Sequence, residues 1–150
     1  MTPEQIELVN ASLARLRGRL PEVADAFYRG LFTEHPEVRP LFTGDQARLR
    51  VKFADELDAI VQAIPDFEGF LGRTRSLGAR HAEYRVRAEH YGHVRTALLA
   101  ALADASGAGG WTAETAAAWR LAYDMTAEAM MLGAAGAPGR AAAPGRPAAG

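Results

Sequence analysis

Cysteine is absent from the 150 residues, which excludes disulfides, thiolate metal sites and redox thiols. Long apolar runs are absent as well. Nothing approaches the roughly 20 residues that span a bilayer, and the opening MTPEQIEL lacks the basic-then-apolar order of a signal peptide. A soluble cytoplasmic protein is expected, with no membrane partner. Neither sign of charge is in excess: 17 basic residues face 18 acidic ones, for a net charge of −1, so nucleic-acid binding is not expected. Period-two alternation bounded by turn residues occurs nowhere, and no sheet is expected. No repeat is visible, and the length suits one domain with a real core rather than two.

What is present is helical periodicity. Thr2, Pro3 and Gln5 form a helix-start signature, a capping hydroxyl with proline behind it and glutamine three after the cap. Ile6, Val9, Leu13, Leu16 and Leu20 then recur at threes and fours. Pro21 starts a second helix whose apolar side carries Val23, Phe27, Tyr28, Leu31 and Phe32. His35-Pro36 breaks it, and Pro36 to Phe42 reads as one short tight turn. Asp45 caps a long helix to Ile64, with Leu49, Phe53, Leu57, Ile60 and Ile64 on one face, and Asp66 caps the next. After a turn at Arg85–Glu89, a fifth helix points Tyr91, Val94, Leu98 and Leu102 inward. SGAGG, Ser106 to Gly110, is a loop by composition. Thr112 caps a last helix with Trp119, Ala122, Tyr123, Thr126 and Met130 as its stripe. The chain therefore divides into an all-α domain, residues 1–133, and an Ala/Gly/Pro-rich tail, residues 134–150, with nothing to bury and so expected to be disordered.

One residue in LGARHAEYRVRAEHYGHV, Leu77 to Val94, stands out. His81 follows Leu77 by four, Thr74 by seven, Phe70 by eleven and Phe67 by fourteen, which places an imidazole on the apolar face of a helix over Phe67–Tyr84. A basic ring on a buried stripe is either a core histidine bonded to a carbonyl or a neutral metal ligand. Periodicity alone leaves both readings open. His90 and His93, three apart, form a second potential pair, but no third ligand is in sight. His35 reads as a surface residue.

The segments AFYRGLFTEHPEVRPLF, LGARHAEYRV and EHYGHV, in that order, resemble the globins, and most of all single-domain bacterial globins of the flavohaemoglobin type. The resemblance runs from about Thr2 to Gly133. It implies helices packed around haem b, with His81 as the proximal iron ligand, Phe42 stacked on the macrocycle and Tyr28 over the iron on the distal side. It further implies Lys52 and Arg80 meeting the haem propionates and Tyr91 bonding the proximal histidine, with Leu77, Val94 and Leu98 among the apolar walls. A partner on the second nitrogen of an iron-binding imidazole fixes its tautomer and basicity. A buried phenol suits a gas that gains negative charge on its far atom.

Two departures from the family pattern matter. Where the distal helix usually carries a polar glutamine or histidine, this chain places Leu49, with Phe53 after it, and Gln46 ranks second as the residue near the ligand. Where the last helix usually carries a supporting glutamate, the match falls on Ala134. The implied activities are binding or transport of dioxygen, and nitric oxide detoxification by dioxygenation, in which Tyr28 would be the catalytic group. Because the chain ends where a reductase module would begin, an external reductase is expected. The alternatives are a haem-based gas sensor and a haem-free helical interaction domain. Oligomeric state is not legible.

Overall fold

The computed structural model describes residues 1–136, and its regular structure is helical throughout, with no strand among them. Six α-helices follow one another: α1 (Pro3–Leu16), α2 (Leu20–Glu34), α3 (Gln46–Ala63), α4 (Phe67–Glu83), α5 (Ala88–Gly110) and α6 (Ala113–Ala135). A 3-10 turn over Pro36–Leu41 separates α2 from α3, as the two prolines require. Local chemistry sets the boundaries. Thr2 accepts from the Gln5 amide while the Gln5 side chain accepts from the Thr2 amide, a reciprocal cap. Asp45 caps α3 through the Ala47 amide, and Thr112 caps α6 through that of Thr115.

The apolar stripes meet in one core. α2 packs on α3 and α5, and α6 packs on α1, α4 and α5. Val9, Leu13, Val23, Leu31, Phe70, Leu102 and Trp119 are all buried there. Its main polar contact is the Trp119 indole N–H donating to Ser12 Oγ at 3.0 Å, which ties α6 to α1. Arg95 grips Asp124 with two bonds, of 2.8 and 3.1 Å, across α5 and α6.

Three expectations change. Phe67 is 58% exposed: it is the first residue of α4 and its side chain stacks outside on Phe70, so the buried face begins one turn later. The loop expected at Ser106–Gly110 is reduced to a break: two helical stretches that together make up α5 meet at a kink at Gly107, whose φ of +73° and ψ of 177° glycine reaches without a Cβ penalty. Helix α6 runs past Gly133 to Ala135, with Ala134 buried; the rest of the proposed tail, from residue 137, lies outside the described residues.

The closest helix–helix approach has no counterpart in the periodicity. A Cβ on Gly78 of α4 would collide with the Met130 carbonyl of α6, and one on Gly133 would collide with the Arg75 carbonyl. The two helices touch backbone to backbone on either side of their crossing, three residues before His81. Gly72, on the same helix, has open space around it. Gly78→Ala is therefore expected to lower unfolding free energy by about 1–3 kcal/mol or more through overpacking, whereas Gly72→Ala should raise it by about 0.5–1 kcal/mol through helix propensity. Denaturant melts of the two variants check this, and equal shifts would mean that the crossing is loose.

Candidate functional site

His81 stands in the last turn of α4, two residues from its end. Its Nδ1 lies 2.8 Å from the Leu77 carbonyl. The carbonyl can only accept, so Nδ1 carries the proton and Nε2 keeps a lone pair. Burial pushes the imidazole pKa below its ordinary value, opposed in part by the bond to Leu77. The ring is thus held neutral, in one tautomer, with its free nitrogen available to a ligand.

Two adjoining cavities meet at this ring. The larger, about 390 Å3, is bordered by Tyr28, Leu31, Phe42, Leu49 and Lys52 as well as His81. The smaller, about 170 Å3 and almost wholly apolar, is bordered by Phe53, Leu77, Tyr91, Leu98 and Trp119. His81, Val86, His90 and Val94 belong to both. The larger alone falls within the roughly 300–1,000 Å3 of small-molecule sites. A flat apolar macrocycle with an iron at its centre fits this donor set: one neutral imidazole, aromatic and aliphatic walls, and cations at the rim.

Helix α2 delivers Tyr28 to the larger cavity. The phenol is buried, which raises its pKa, while nearby Arg50 acts the other way. Its hydroxyl donates to the Leu49 carbonyl over 3.5 Å, the long limit of a hydrogen bond, so it can turn to a better acceptor at small cost. An aromatic nest holds the ring. Phe42 meets it edge-on at 5.5 Å and Phe53 at 5.7 Å, while Phe53 stacks on Phe27 at 4.4 Å.

The two candidates on α3 separate clearly. Leu49 lines the larger cavity. Gln46 borders neither cavity: its amide donates to the Phe42 carbonyl at 3.3 Å and accepts from Arg39, closing the turn before the helix. The cations also rearrange. Lys52 borders the larger cavity, joined by Arg48 one turn earlier. Arg80 borders neither cavity and instead lies 4.0 Å from Glu56. Glu56, which also holds Arg73 at 3.0 Å, lines the smaller cavity. Arg48 follows from its spacing of four before Lys52, but Glu56 carries no sequence signal beyond helical phase.

Tyr91 is buried in a cluster with Leu77, Ala127 and Met130, and its carbonyl accepts from the Tyr123 hydroxyl at 2.7 Å. The tautomer of His81 is set by the Leu77 carbonyl, a partner within the same helix, where the resemblance implied Tyr91. The α6 residues buried in the Tyr91 cluster are Ala127 and Met130, with Tyr123 and Met131 packed against it, and Ala134 is buried near the end of the helix. Asp124 and Glu128 of α6 both face solvent. His90 is missing from the sequence reading of the cavity because its phase on α5 differs from that of Tyr91, Val94 and Leu98.

Comparison with known proteins agrees with the architecture. A family model for the globins matches residues 25–130. The flavohemoprotein of Bacillus cereus is 29% identical over 134 residues, covering 87% of this chain and 33% of its own length. That of Deinococcus radiodurans is 31% identical, with coverages of 87% and 33%; the chain thus spans about a third of these relatives. An engineered carbene transferase, assigned as a candidate nitric oxide dioxygenase of Rhodothermus marinus, superposes with a TM-score of 0.80 at 29% identity, covering 90% of this chain and 94% of that one. A Campylobacter jejuni globin shares the fold at a TM-score of 0.77 and 23% identity, with coverages of 89% and 96%.

The depressed pKa of His81 has a pH signature. Below about pH 6.5 the unfolded chain protonates this imidazole before the folded one does, so its contribution to stability falls as pH drops and is constant above that value. The difference in unfolding free energy between the ligand-free wild type and His81→Gln should shrink from pH 8 to pH 5, as about 1.4 kcal/mol accompanies each full unit of pKa difference. Urea melts across that range measure it. A difference independent of pH would mean that His81 titrates like an exposed histidine.

Proposed function

The chain belongs to the globin family, and on that premise we propose that it binds haem b through His81 and holds a diatomic gas, dioxygen first, beside Tyr28. The observation that carries this reading is that His81, with Nδ1 already committed to the Leu77 carbonyl, borders the same cavity as the buried Tyr28 phenol. Haem, when bound, supplies an iron centre that takes dioxygen, nitric oxide or carbon monoxide.

The residues of the chain do the rest. His81 Nε2 would be the nitrogen that holds the iron, and the Leu77 carbonyl holds the ring against rotation. Phe42, Leu77, Val94 and Leu98 form walls for a flat apolar ring, and Arg48 and Lys52 meet its carboxylates. Tyr28 donates its hydroxyl proton in a hydrogen bond to the gas, exchanging the long contact with the Leu49 carbonyl. Leu49 and Phe53 keep water out, since neither offers it a partner. The same site serves two activities: reversible dioxygen binding, and conversion of nitric oxide and dioxygen to nitrate with one electron from a reductase. The α6 carboxylates, Glu114, Asp124 and Glu128, are all exposed, so none of them makes the imidazole more anionic. That favours gas holding over a strongly electron-donating proximal ligand.

Two measurements test this. His81→Ala should lose its haem on gel filtration and regain a Soret band with added imidazole, whereas His90→Ala should retain it; a native spectrum in the His81 variant would refute the axial assignment. Tyr28→Phe should speed dioxygen dissociation about ten- to a hundredfold, the equivalent of one hydrogen bond of about 1.5–3 kcal/mol to a partly charged acceptor. Carbon monoxide should respond much less, and Leu49→Gln should partly restore slow dissociation in the double variant. Stopped-flow mixing of both gases with the four proteins decides, and an unchanged dioxygen off-rate in Tyr28→Phe would show that the phenol does not face the gas.

A further inference from the structure

His93 is a wall shared by two hollows. It borders the 390 Å3 cavity on one side and, with His35, a more open cleft of about 730 Å3 on the other. His35 follows the last residue of α2, where Pro36 stops the helix and opens the 3-10 turn, Glu37 is the second residue of that turn, and His93 lies early in α5. The chain brings these segments together. The two imidazoles lie face to face, centroids 3.6 Å apart and planes 17° from parallel, and His35 Nδ1 sits 3.2 Å from Glu37 Oε2. One ligating atom from each of the three residues lies within 4.8 Å of the others. The pair suggested by spacing alone, His90 with His93, is not the one assembled: His90 Nδ1 accepts the Arg87 amide at 2.8 Å, and its ring is 6.3 Å from that of His93.

Gas binding uses none of these contacts. We propose that His35, Glu37 and His93 form a separate metal site, for Zn2+, that clamps the end of α2 and the following turn to α5. Zinc takes imidazole nitrogen and carboxylate oxygen at about 2.0–2.2 Å, so two ligands on a tetrahedral ion stand about 3.3 Å apart. Atoms already within 4.8 Å need to draw in by at most about 1.5 Å. Rotation of three half-buried or exposed side chains supplies that without moving a helix. The chemistry matches too: two neutral imidazoles and one carboxylate, with no thiol in the chain to favour a softer ion. The fourth position opens on the cleft, where a water completes the set.

Titration calorimetry of zinc sulfate into the purified full chain, at about pH 7.5 so that histidine is neutral, tests the site. One zinc should bind per chain, and saturating zinc should raise the melting temperature by mass action. His35→Ala and His93→Ala should each weaken zinc binding at least about tenfold. Glu37→Gln should weaken it too, whereas His90→Ala should leave it unchanged. The proposal is overturned if zinc produces neither heat nor a melting shift. It is equally overturned if binding survives both His35→Ala and His93→Ala, or disappears only with His81→Ala or His90→Ala. None of these outcomes depends on whether the larger cavity takes haem.

Discussion

The hydrogen bond from His81 Nδ1 to the Leu77 carbonyl, 2.8 Å long, is the constraint on which the rest of the site depends. It is made within one helix, between residues four apart, so it needs no partner helix to be in place first. It fixes which nitrogen carries the proton, and burial then keeps a second proton away. The fold around it supplies what that ring lacks: a hollow in front of Nε2, aromatic walls, and one phenol. Without this bond the imidazole could rotate, both nitrogens would compete for any ligand, and the cavity would face either an N–H or a lone pair.

The helices were legible because their apolar residues recur at threes and fours and because their caps are local chemistry. Thr2, Asp45 and Thr112 each cap within a few residues of where they stand. His81, Tyr28, Phe42 and Leu49 could likewise be placed, through helical phase and through the order of the segments that resemble globins. Failures came where a residue answers to something distant. Arg80 is drawn to Glu56 on another helix, and Phe67 lies beyond the end of the buried face. Gln46 is taken by the carbonyls of a turn. Glycine-rich composition at Ser106–Gly110 reads as a loop, yet only Gly107 departs from helical angles. The convergence of His35, Glu37 and His93 has no periodic trace at all, since the residues come from different elements and meet only after α2 packs on α5.

The cavity beside Tyr28 is asymmetric in polarity. On the α3 side Leu49 contributes no donor and the Gln46 amide is already bonded to the Phe42 carbonyl, while Arg48 and Lys52 border the cavity as cations. On the α2 side the Tyr28 hydroxyl is bound only loosely. A buried, loosely held phenol discriminates by charge on the guest: an acceptor that polarises gains the bond, and one that does not gains only contact. Adding polar groups would blur that distinction, because water would then find two partners and stay.

The crossing at Gly78 and Gly133 has a mechanical meaning. Where two helices touch through backbone atoms, there are no side chains to swing aside, and sliding by a fraction of a turn drives carbonyl into Cα. The end of α4 that carries His81 is thereby anchored to α6 one turn away, while its other end, at the exposed Phe67, is free of that grip. Any displacement of the imidazole along the helix axis must drag α6 with it or bend the short stretch from Gly78 to His81. The histidine is mounted like a stylus on a short, stiff arm, and force applied at its tip is delivered to the last helix rather than absorbed in the first turn of its own.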